Sequence, residues 1–520
     1  MQSDLESGLP KTTPQPIYKE QEALQGQAMV EVGISPDSTR AEAEMPYVKL
    51  NQFVSARKRP SSTVWQLILV AGDVLLLLAI FGLLFHFQIM PGAQTSVFEL
   101  QQERLMWICL ALGSWGIAAA MTQAQHMSYA ANRFKGPACA LFALLLMCFF
   151  WTILDDVLLH IKLINSIKLD LFFLGVAIPG FSVWRFLFAE IKHLPRFHLR
   201  AVIVGVNAAG KMVAQELKNS RSSSIKILGY IGENTEERAY HNGLPILGDR
   251  DTLHYMVYHN MIDTIIIALE YGANPGLFKE AIDAAQFGIS VVPMTVAYEN
   301  CAGKIPVEHV GDQWYAALQS EHVISPLYLF WKKGFDLFCG IIGLLLLAVV
   351  TPVLALCIYL DSPGPIFYSQ ERVGFRGKPF RIYKFRSMRT DAEGKGQAIW
   401  ASKTDSRVTR IGRFMRATHL DELPQLYNIL RGEMSMIGPR PERATFIEEL
   451  EKTIPFYGHR LAVKPGLTGW AQVKYRYGNS DNDALIKLQY DLYYIKRQSF
   501  MLDLFILLNT VIEVLYRRGV

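Results

Sequence analysis

The feature that most constrains this chain is a series of four long apolar segments, each close to the roughly 20 residues with which a helix crosses a bilayer. Basic residues flank the series, with Arg57 and Lys58 before it and Lys192 after it, and this bias places both of its ends in the cytosol. The segments predict a bundle of four transmembrane helices within residues 56–195. They lie near residues 63–86, 103–122, 136–159 and 168–189.

Composition agrees with a membrane protein of several units. The 520 residues are too many for one compact core. Charged residues make up 19% of the chain, against about 25% in an average soluble domain. The net charge of +5 is too small over this length to indicate a nucleic-acid partner, and none is predicted. No CxxC pair occurs among the six cysteines, so neither a zinc site nor a disulfide framework is indicated.

Residues 1–55 are polar and have no apolar periodicity, which predicts a disordered cytosolic tail. Acidic residues Asp4 and Glu6 stand where a signal peptide would need basic ones, so secretion is not predicted.

Residues 196–320 alternate short apolar strands with helical stretches, which predicts a Rossmann-like α/β domain in the cytosol. Its first strand runs into Gly205, Asn207 and Gly210, the place where a dinucleotide fold brings backbone amides close to a pyrophosphate. Glu233 follows the second strand, where an acidic residue would bind a ribose. Asn207 replaces the middle glycine, so a retained nucleotide site and a site that is lost or regulatory are both open.

A fifth apolar segment at 335–360 is long enough to span a bilayer, but basic residues flank both of its ends. Thr351 and Pro352 interrupt it, and a proline removes a backbone donor and bends a helix. The Thr351 hydroxyl is available to a freed carbonyl. We therefore predict a re-entrant membrane helix that returns to the cytosolic face, with an ordinary kinked spanning helix as the alternative.

Residues 327–520 carry the densest set of unusual residues. Asp421 and Glu422 precede Pro424, a residue that is tolerated in the first turn of a helix, so both carboxylates are expected at a helix N-terminus and ionised. Such a pair suits a metal ligand or a nucleophile towards phosphorus, although an aspartate that only caps the helix is the alternative. Cations that could contact phosphate surround this run in the sequence: Lys384, Arg386, Arg416 and Arg440.

Several long motifs occur in this region, in the order DSPGP, QERVG, KFRSM, LDELPQL, MIGPRP, PGLTGWAQV and QYDLYYI. In these motifs the region resembles the catalytic domain of the bacterial polyprenyl-phosphate sugar-1-phosphate transferases. The preceding helices and α/β insert are similar to the large members of that family, and the likeness is strongest to undecaprenyl-phosphate glucose or galactose phosphotransferases. The resemblance implies a mainly α catalytic domain that is anchored by the re-entrant helix.

The resemblance also implies a reaction. Asp421 would attack the sugar-linked phosphorus of a UDP-sugar, release UMP and form a phosphosugar enzyme, which undecaprenyl phosphate then resolves. Glu422 would complete an acidic dyad, and the two carboxylates would hold Mg²⁺. The expected place is the cytosolic face of the bacterial inner membrane, with the lipid bilayer as a partner and a homodimer as a further expectation. There are two alternatives. The first is a nucleotide-sugar dehydratase or oxidoreductase that uses the α/β domain, and the second is a nucleotide-sensing scaffold. No tyrosine of that domain is followed four positions later by a lysine, which disfavours the former.

Overall fold

The computed structural model describes residues 62–86, 97–159, 163–220, 225–232, 240–241, 243–269, 272–309, 326–390, 407–475 and 480–515. The predicted disordered tail and Glu233 lie outside the described residues.

Four long helices occupy the positions of the predicted membrane segments and pack into one bundle. In α1, α4 and α5 the helix is long and apolar enough to cross a membrane, whereas the described apolar part of α2, Leu105–Met121, is shorter. Aromatic side chains fill the bundle core, and Trp107 packs edge-on against Trp151 with ring centroids 5.6 Å apart. The helices are α1 (Ser62–His86), α2 (Val97–Met121), α4 (Lys135–Leu159) and α5 (Leu163–Lys192), and a short α3 (Met127–Ala130) precedes α4.

A buried ion pair joins the first and last helices of the bundle. Arg185 Nη2 on α5 lies 2.6 Å from Asp73 Oδ2 on α1, and neither side chain is exposed. Arg185 Nη1 also donates to the carbonyl of Ala124 at 2.6 Å. Because buried charges are costly unless paired, this pair fixes how α1 and α5 face each other.

The α/β domain is built on a six-stranded sheet in the order β3-β4-β2-β1-β5-β6. All of its neighbouring strands are parallel except β3 and β4. The sheet order reverses between β1 and β5, and in doubly wound sheets ligands bind at such a point. Its strands are β1 (Leu199–Val204), β2 (Ile225–Ile231), β3 (Tyr240–His241), β4 (Leu244–Gly248), β5 (Thr264–Ile267) and β6 (Ser290–Pro293). Its helices are α6 (Ala208–Asn219), α7 (Arg250–Tyr258), α8 (Pro275–Asp283) and α9 (Met294–Ala302).

The C-terminal domain is mainly helical, with two small two-stranded sheets. Most residues of its QERVG and KFRSM motifs form an antiparallel hairpin of two strands, Phe367–Val373 and Pro379–Phe385. The helices are α10 (Pro326–Asp361), α11 (Arg410–Ala417), α12 (Leu426–Leu430), α13 (Ala444–Thr453), α14 (Trp470–Lys474), α15 (Asp481–Lys496) and α16 (Phe500–Leu515). The strands are β7 (Phe367–Val373), β8 (Pro379–Phe385), β9 (Ser435–Ile437) and β10 (Gly466–Thr468).

Both ends of α10 are bound to the C-terminal domain. Near its beginning, Asp336 Oδ1 accepts a hydrogen bond from the backbone N–H of Met436 at 2.9 Å. At its end, Asp361 Oδ2 accepts one from the N–H of Ile411 at 2.8 Å. These aspartates are 25 residues apart, about 38 Å along a straight helix. The opposite side of α10 exposes apolar side chains, including Leu345, Val349, Val353 and Leu360.

The helix continues through the predicted break at Thr351 and Pro352. Thr351 Oγ1 donates to the carbonyl of Leu347 at 2.7 Å. Pro352 has no N–H, so the carbonyl that it leaves without a helical donor is that of Ala348. The Thr351 hydroxyl binds the carbonyl of the preceding residue, Leu347, instead. The prediction that the Thr351 hydroxyl binds the freed carbonyl is therefore wrong.

The C-terminal domain contacts both of the other units. Glu299 of α9 is fully buried and lies 3.0 Å from Lys496 Nζ of α15. Trp470 Nε1 donates to the carbonyl of Gly303 at 2.7 Å. Met501 of α16 is part of the core of the helical bundle. The three units therefore share buried contacts.

Candidate active site

The acidic pair lies where the sequence predicts it, in the first turn of a helical segment. Leu420–Gln425 is a 3₁₀ helix that leads into the five-residue α12, and His419 enters it with a left-handed φ of 56°. The side chains of Asp421 and Glu422 are buried, with 7% and 8% of each residue exposed. So short a helix has little dipole, so other groups must stabilise the negative charge.

Two cations hold the Glu422 carboxylate. Lys384 Nζ and Arg440 Nη2 each lie 2.6 Å from Glu422 Oε1, and Arg440 Nη1 donates to Oε2 at 3.3 Å. Arg440 thus binds both oxygens with its planar fork, which is the geometry in which arginine binds carboxylates and phosphates. Nearly half of the Arg440 side chain, 46%, stays exposed. The structure therefore brings three of the predicted site residues together.

The strand that carries Lys384 is fastened to the helix that follows the dyad. Asn428 of α12 is fully buried, and its Nδ2 donates to the carbonyl of Arg381 at 2.7 Å. The N–H of Tyr383 in turn donates to Asn428 Oδ1 at 3.2 Å. This pair of bonds sets the register of β8 against α12, so that Lys384 reaches Glu422.

The turn that carries Arg440 is packed against β10. The N–H of Gly438 donates to the carbonyl of Thr468, and the N–H of Gly466 donates to the carbonyl of Pro439, both at 2.9 Å. A Cβ on Gly438 would lie 2.4 Å from the carbonyl oxygen of Lys464. Only glycine allows so close an approach, which explains why the GPRP and PGLTG motifs both contain glycine here.

The two carboxyl groups of the dyad differ in electrostatic environment. Burial, and then the neighbouring Glu422 carboxylate, raise the pKa of Asp421 above its ordinary 3.8, against the cations Lys384, Arg416 and Arg440. Burial alone would also raise the pKa of Glu422, but the ion pairs with Arg440 and Lys384 hold it well below its usual range. The prediction that both groups are ionised agrees with the shift of Glu422, whereas the pKa of Asp421 moves in the opposite direction.

Asp421 is the buried carboxylate of the pair that the described side chains leave unpaired. Within the described part of the chain, no hydrogen bond or ion pair engages its carboxylate, while three cations act on it at longer range. Arg416 is one of these cations, and its Nε donates to Ser387 Oγ at 3.0 Å. A carboxylate without protein partners beside a neutralised one can act as a nucleophile or as a ligand.

Arg386 is not placed with the other predicted phosphate contacts. Its guanidinium donates to the backbone carbonyls of Ser362 and Pro363, in the turn that follows α10. Only 6% of the residue is exposed. Arg386 therefore stabilises the DSPGP turn, and its role as a phosphate contact stays a prediction.

The acidic pair offers oxygen ligands of the kind that Mg²⁺ prefers. Proteins usually bind this ion through one or two carboxylates together with water and substrate phosphate. Asp421 is unengaged, and Glu422 accepts three hydrogen bonds where a carboxylate has about four acceptor positions. Among the described residues, no cluster of three or more His, Cys, Asp or Glu side chains could hold a metal alone. The acidic pair could supply only part of the ligands of such an ion.

The glycine loop of the α/β domain is closed by its own side chain. Asn207 caps α6, with its Oδ1 accepting from the N–H of Gly210 at 2.8 Å and its Nδ2 donating to the carbonyl of Ala268 at 2.7 Å. Gly205 has a φ of 121°, and a Cβ there would lie 2.8 Å from the Ala268 oxygen. A diphosphate would have to displace Asn207 to reach the Gly210 amide, so the loop as it stands does not fit one.

Two arginines near the site were not singled out by the sequence analysis. Arg372 Nη1 donates to the carbonyl of Pro441 at 3.2 Å, and Arg460 Nη2 donates to the carbonyl of Arg440 at 3.1 Å. Arg460 also lies 2.8 Å from Asp491 of α15, and both residues are buried. Two features of the sequence could have indicated these residues. Arg372 lies in the QERVG motif, and Arg460 and Asp491 are charged residues among apolar ones.

These features define a membrane-associated protein whose C-terminal domain holds a partly neutralised acidic pair. A family model described as bacterial sugar transferase matches residues 327–517, and one described as a CoA-binding domain matches residues 128–279. The chain is 42% identical over 217 residues to a UDP-N-acetylgalactosamine-undecaprenyl-phosphate N-acetylgalactosaminephosphotransferase of Aeromonas hydrophila. It is 33% identical over 326 residues to a UDP-glucose:undecaprenyl-phosphate glucose-1-phosphate transferase of Xanthomonas campestris pv. campestris.

The extent of these matches differs between relatives. The first match covers 42% of this chain and 50% of the Aeromonas protein, and the second covers 61% and 66%. An exopolysaccharide production protein of Rhizobium leguminosarum bv. phaseoli is 41% identical over 194 residues, which are 36% of this chain and 96% of that protein. This chain belongs to the bacterial sugar transferase family, as the motifs of its C-terminal region predict.

Proposed function

We propose that this protein transfers a sugar-1-phosphate from a UDP-sugar to undecaprenyl phosphate. The observation that carries the proposal is the asymmetric acidic pair, in which no described side chain pairs with Asp421 while Lys384 and Arg440 bind Glu422. Two relatives are named as transferases with undecaprenyl phosphate in their names, which agrees with this chemistry.

The proposed reaction has two displacements at one phosphorus. An Asp421 oxygen attacks the sugar-linked phosphorus, a P–O bond forms, the bond to the bridging diphosphate oxygen breaks, and UMP leaves with that oxygen. A phosphate oxygen of undecaprenyl phosphate then attacks the same phosphorus and releases the Asp421 carboxylate. The products are UMP and a lipid-linked diphosphosugar, and the intermediate is a phosphosugar-aspartate.

The cations have separate proposed roles. Arg440 has an exposed guanidinium within reach of the dyad, so it is the first candidate to contact the diphosphate as charge moves to the leaving oxygen. Arg416 acts on Asp421 electrostatically and lowers its pKa, which favours the ionised nucleophile. Lys384 neutralises Glu422 and thereby limits its repulsion of an anionic substrate.

We propose that Asp421 and Glu422 hold Mg²⁺ together with the substrate diphosphate. When bound, the ion would supply positive charge that neutralises the phosphate oxygens. The residues of the chain would orient it, and Lys384 would keep Glu422 in place.

We propose that α10 is re-entrant and that the C-terminal domain lies on the cytosolic face of the inner membrane. A straight crossing would put Asp336 and Asp361 on opposite sides of the bilayer, although both bind one polar domain. The exposed apolar side of α10 supports contact with lipid. The test is labelling by an impermeant maleimide from the periplasm: Val353→Cys should stay unlabelled and His86→Cys, at the end of α1, should react. Labelling of Val353→Cys from that side would contradict the re-entrant helix.

The sugar and the pathway are narrower proposals. We propose glucose or galactose as the sugar and priming of exopolysaccharide or O-antigen synthesis as the role. The names of the relatives include both glucose and N-acetylgalactosamine, so the substrate panel must contain both. A homodimer stays a prediction.

The experiment for the reaction is UMP release by the purified full chain from a panel of UDP-sugars, with and without undecaprenyl phosphate and Mg²⁺. We expect release with one sugar that depends on Mg²⁺ and continues over many turnovers only with the lipid. Silence with every sugar, from protein shown to be folded, would refute the proposal and return attention to the scaffold and oxidoreductase alternatives. The closed Asn207 loop gives no support to the oxidoreductase.

A further inference from the structure

The turn that presents Arg440 has few hydrogen bonds of its own. Arg440 stands between Pro439 and Pro441, and neither proline has a backbone N–H to donate. The first half of the turn is fixed by the backbone hydrogen bonds that Gly438 and Pro439 form with β10. The second half needs partners from elsewhere, because an unfixed turn would let the guanidinium of Arg440 move relative to Glu422.

Two arginines from separate elements bind consecutive carbonyls of that second half. Arg460 Nη2 donates to the carbonyl of Arg440 at 3.1 Å, and Arg372 Nη1 donates to the carbonyl of Pro441 at 3.2 Å. The N–H of Val373 adds a bond to the carbonyl of Glu442 at 3.0 Å. The backbone on both sides of the Arg440–Pro441 peptide bond is therefore held from outside.

Each of the two arginines is itself held. Asp491 Oδ2 of α15 lies 2.8 Å from Arg460 Nη2, and Tyr457 accepts from Arg460 Nη1 at 2.7 Å. Arg372 Nη2 donates to Gln370 Oε1 at 2.9 Å within β7. A guanidinium presents several donors in one rigid plane, so it can bind a carboxylate and a carbonyl together, which a lysine cannot do with the same geometry.

We propose that Arg460 and Arg372 are positioning residues for the transfer reaction, and that they act by fixing the backbone carbonyls of Arg440 and Pro441 so that Arg440 stays aimed at the dyad. Asp491 belongs to the same device because it fixes Arg460. This inference rests on the proposed function and adds residues to its site. Neither arginine need contact the substrate.

The test is a cycle of substitutions that is read by UMP release. We expect Arg460→Lys to lower the rate constant about 10- to 100-fold in the otherwise unchanged chain, because small misplacement of a catalytic group is costly. In an Arg440→Ala background the same substitution should lower it less than about threefold, since there is no guanidinium left to position. Arg372→Lys should show the same dependence on Arg440, and it serves if Arg460→Lys does not fold.

Arg200→Lys is the matched control. Arg200 is 5% exposed, and like Arg460 it binds one aspartate, Asp263 at 2.9 Å, and one backbone carbonyl, that of Asn260 at 2.8 Å, but it lies in the α/β domain. Its replacement should lower the unfolding temperature about as much as Arg460→Lys and leave UMP release unchanged. Equal losses of rate in both Arg440 backgrounds, or no loss in either, would overturn the positioning role. Absence of UMP release by the unchanged chain would refute the proposed function itself, and this inference with it.

Discussion

Two turns in this protein contain glycines in a pattern that suggests a phosphate site, and their polar side chains behave in opposite ways. In the α/β domain, Asn207 folds back onto its own loop and binds Gly210 and Ala268. In the C-terminal domain, Arg440 extends from its turn to a carboxylate on another element and stays partly exposed. A turn whose polar side chain hydrogen-bonds within the turn is closed to a ligand. A turn whose polar side chain bonds to another element and keeps part of its surface exposed is available to one.

Replacement of Asp421 by asparagine should have the largest effect on turnover. The amide has the shape of the carboxylate but is a poor nucleophile, so turnover should fall by about 10⁴-fold or more. Steady-state UMP release in the presence of undecaprenyl phosphate measures it. Asp249→Asn is the control, because Asp249 only caps α7 in the α/β domain. Turnover within tenfold of the unchanged chain would exclude Asp421 as the nucleophile.

Replacement of Arg440 should have the next largest effect. Arg440→Ala removes the fork on Glu422 and should lower kcat/KM about 10²- to 10³-fold, the usual loss when one preorganised donor is removed from a charged transition state. Arg440→Lys restores the charge without the two-pronged geometry and should recover only part of this loss. Full recovery with lysine would show that charge alone matters.

Much of this site could be predicted because the residues that carry it stand in long local motifs. Asp421 and Glu422 are adjacent, and Pro424 indicates the helix that starts there. The pairing of Lys384 and Arg440 with Glu422 could not be predicted. These residues are 38 and 18 positions from Glu422, and a strand register and a backbone packing contact bring them to it. The carbonyl partners of Arg386 could not be predicted for the same reason, since they lie in a turn more than twenty residues earlier.

The fold shows the same division between local and distant information. The hydropathy pattern predicted the four bundle helices, and strand alternation predicted β1, β2, β5 and β6. The hairpin β7–β8 was not predicted from the sequence. Neither pattern indicates that Asp336 and Asp361 bind one domain, because that depends on distant backbone N–H groups.

The pH dependence of UMP release should sharpen the contrast within the dyad. The pKa of Asp421 is raised, so its ionised, nucleophilic form is lost as pH falls through a value above the ordinary 3.8. The acid limb of the single-turnover rate should therefore lie at a higher pH than that of an ordinary aspartate. Because the Glu422 charge contributes to this shift, Glu422→Gln should move the limb of the residual activity to lower pH. An unchanged limb would contradict the coupling between the two carboxyl groups.

Asn207→Ala should have the smallest effect on chemistry. Loss of a helix N-cap costs about 1 kcal/mol in the free energy of unfolding, so the domain should unfold at lower denaturant concentration. UMP release should stay within about twofold, since the Asn207 side chain binds Gly210 and Ala268 of its own domain and neither residue of the acidic pair. A large loss of UMP release would mean that the α/β loop takes part in catalysis.

The proposed reaction requires that Asp421 carries the sugar phosphate as a covalent intermediate. Intact-protein and peptide mass spectrometry of the full chain, quenched after mixing with the accepted UDP-sugar and Mg²⁺ but without lipid, tests it most directly. We expect about one UMP released per active chain, together with a sugar-phosphate adduct on the peptide that contains Asp421. The adduct should be absent from Asp421→Asn and should disappear when undecaprenyl phosphate is added. Lipid-linked product formed without a lipid-independent burst of UMP or an adduct would exclude the covalent intermediate. An adduct at another residue would exclude Asp421 as its carrier.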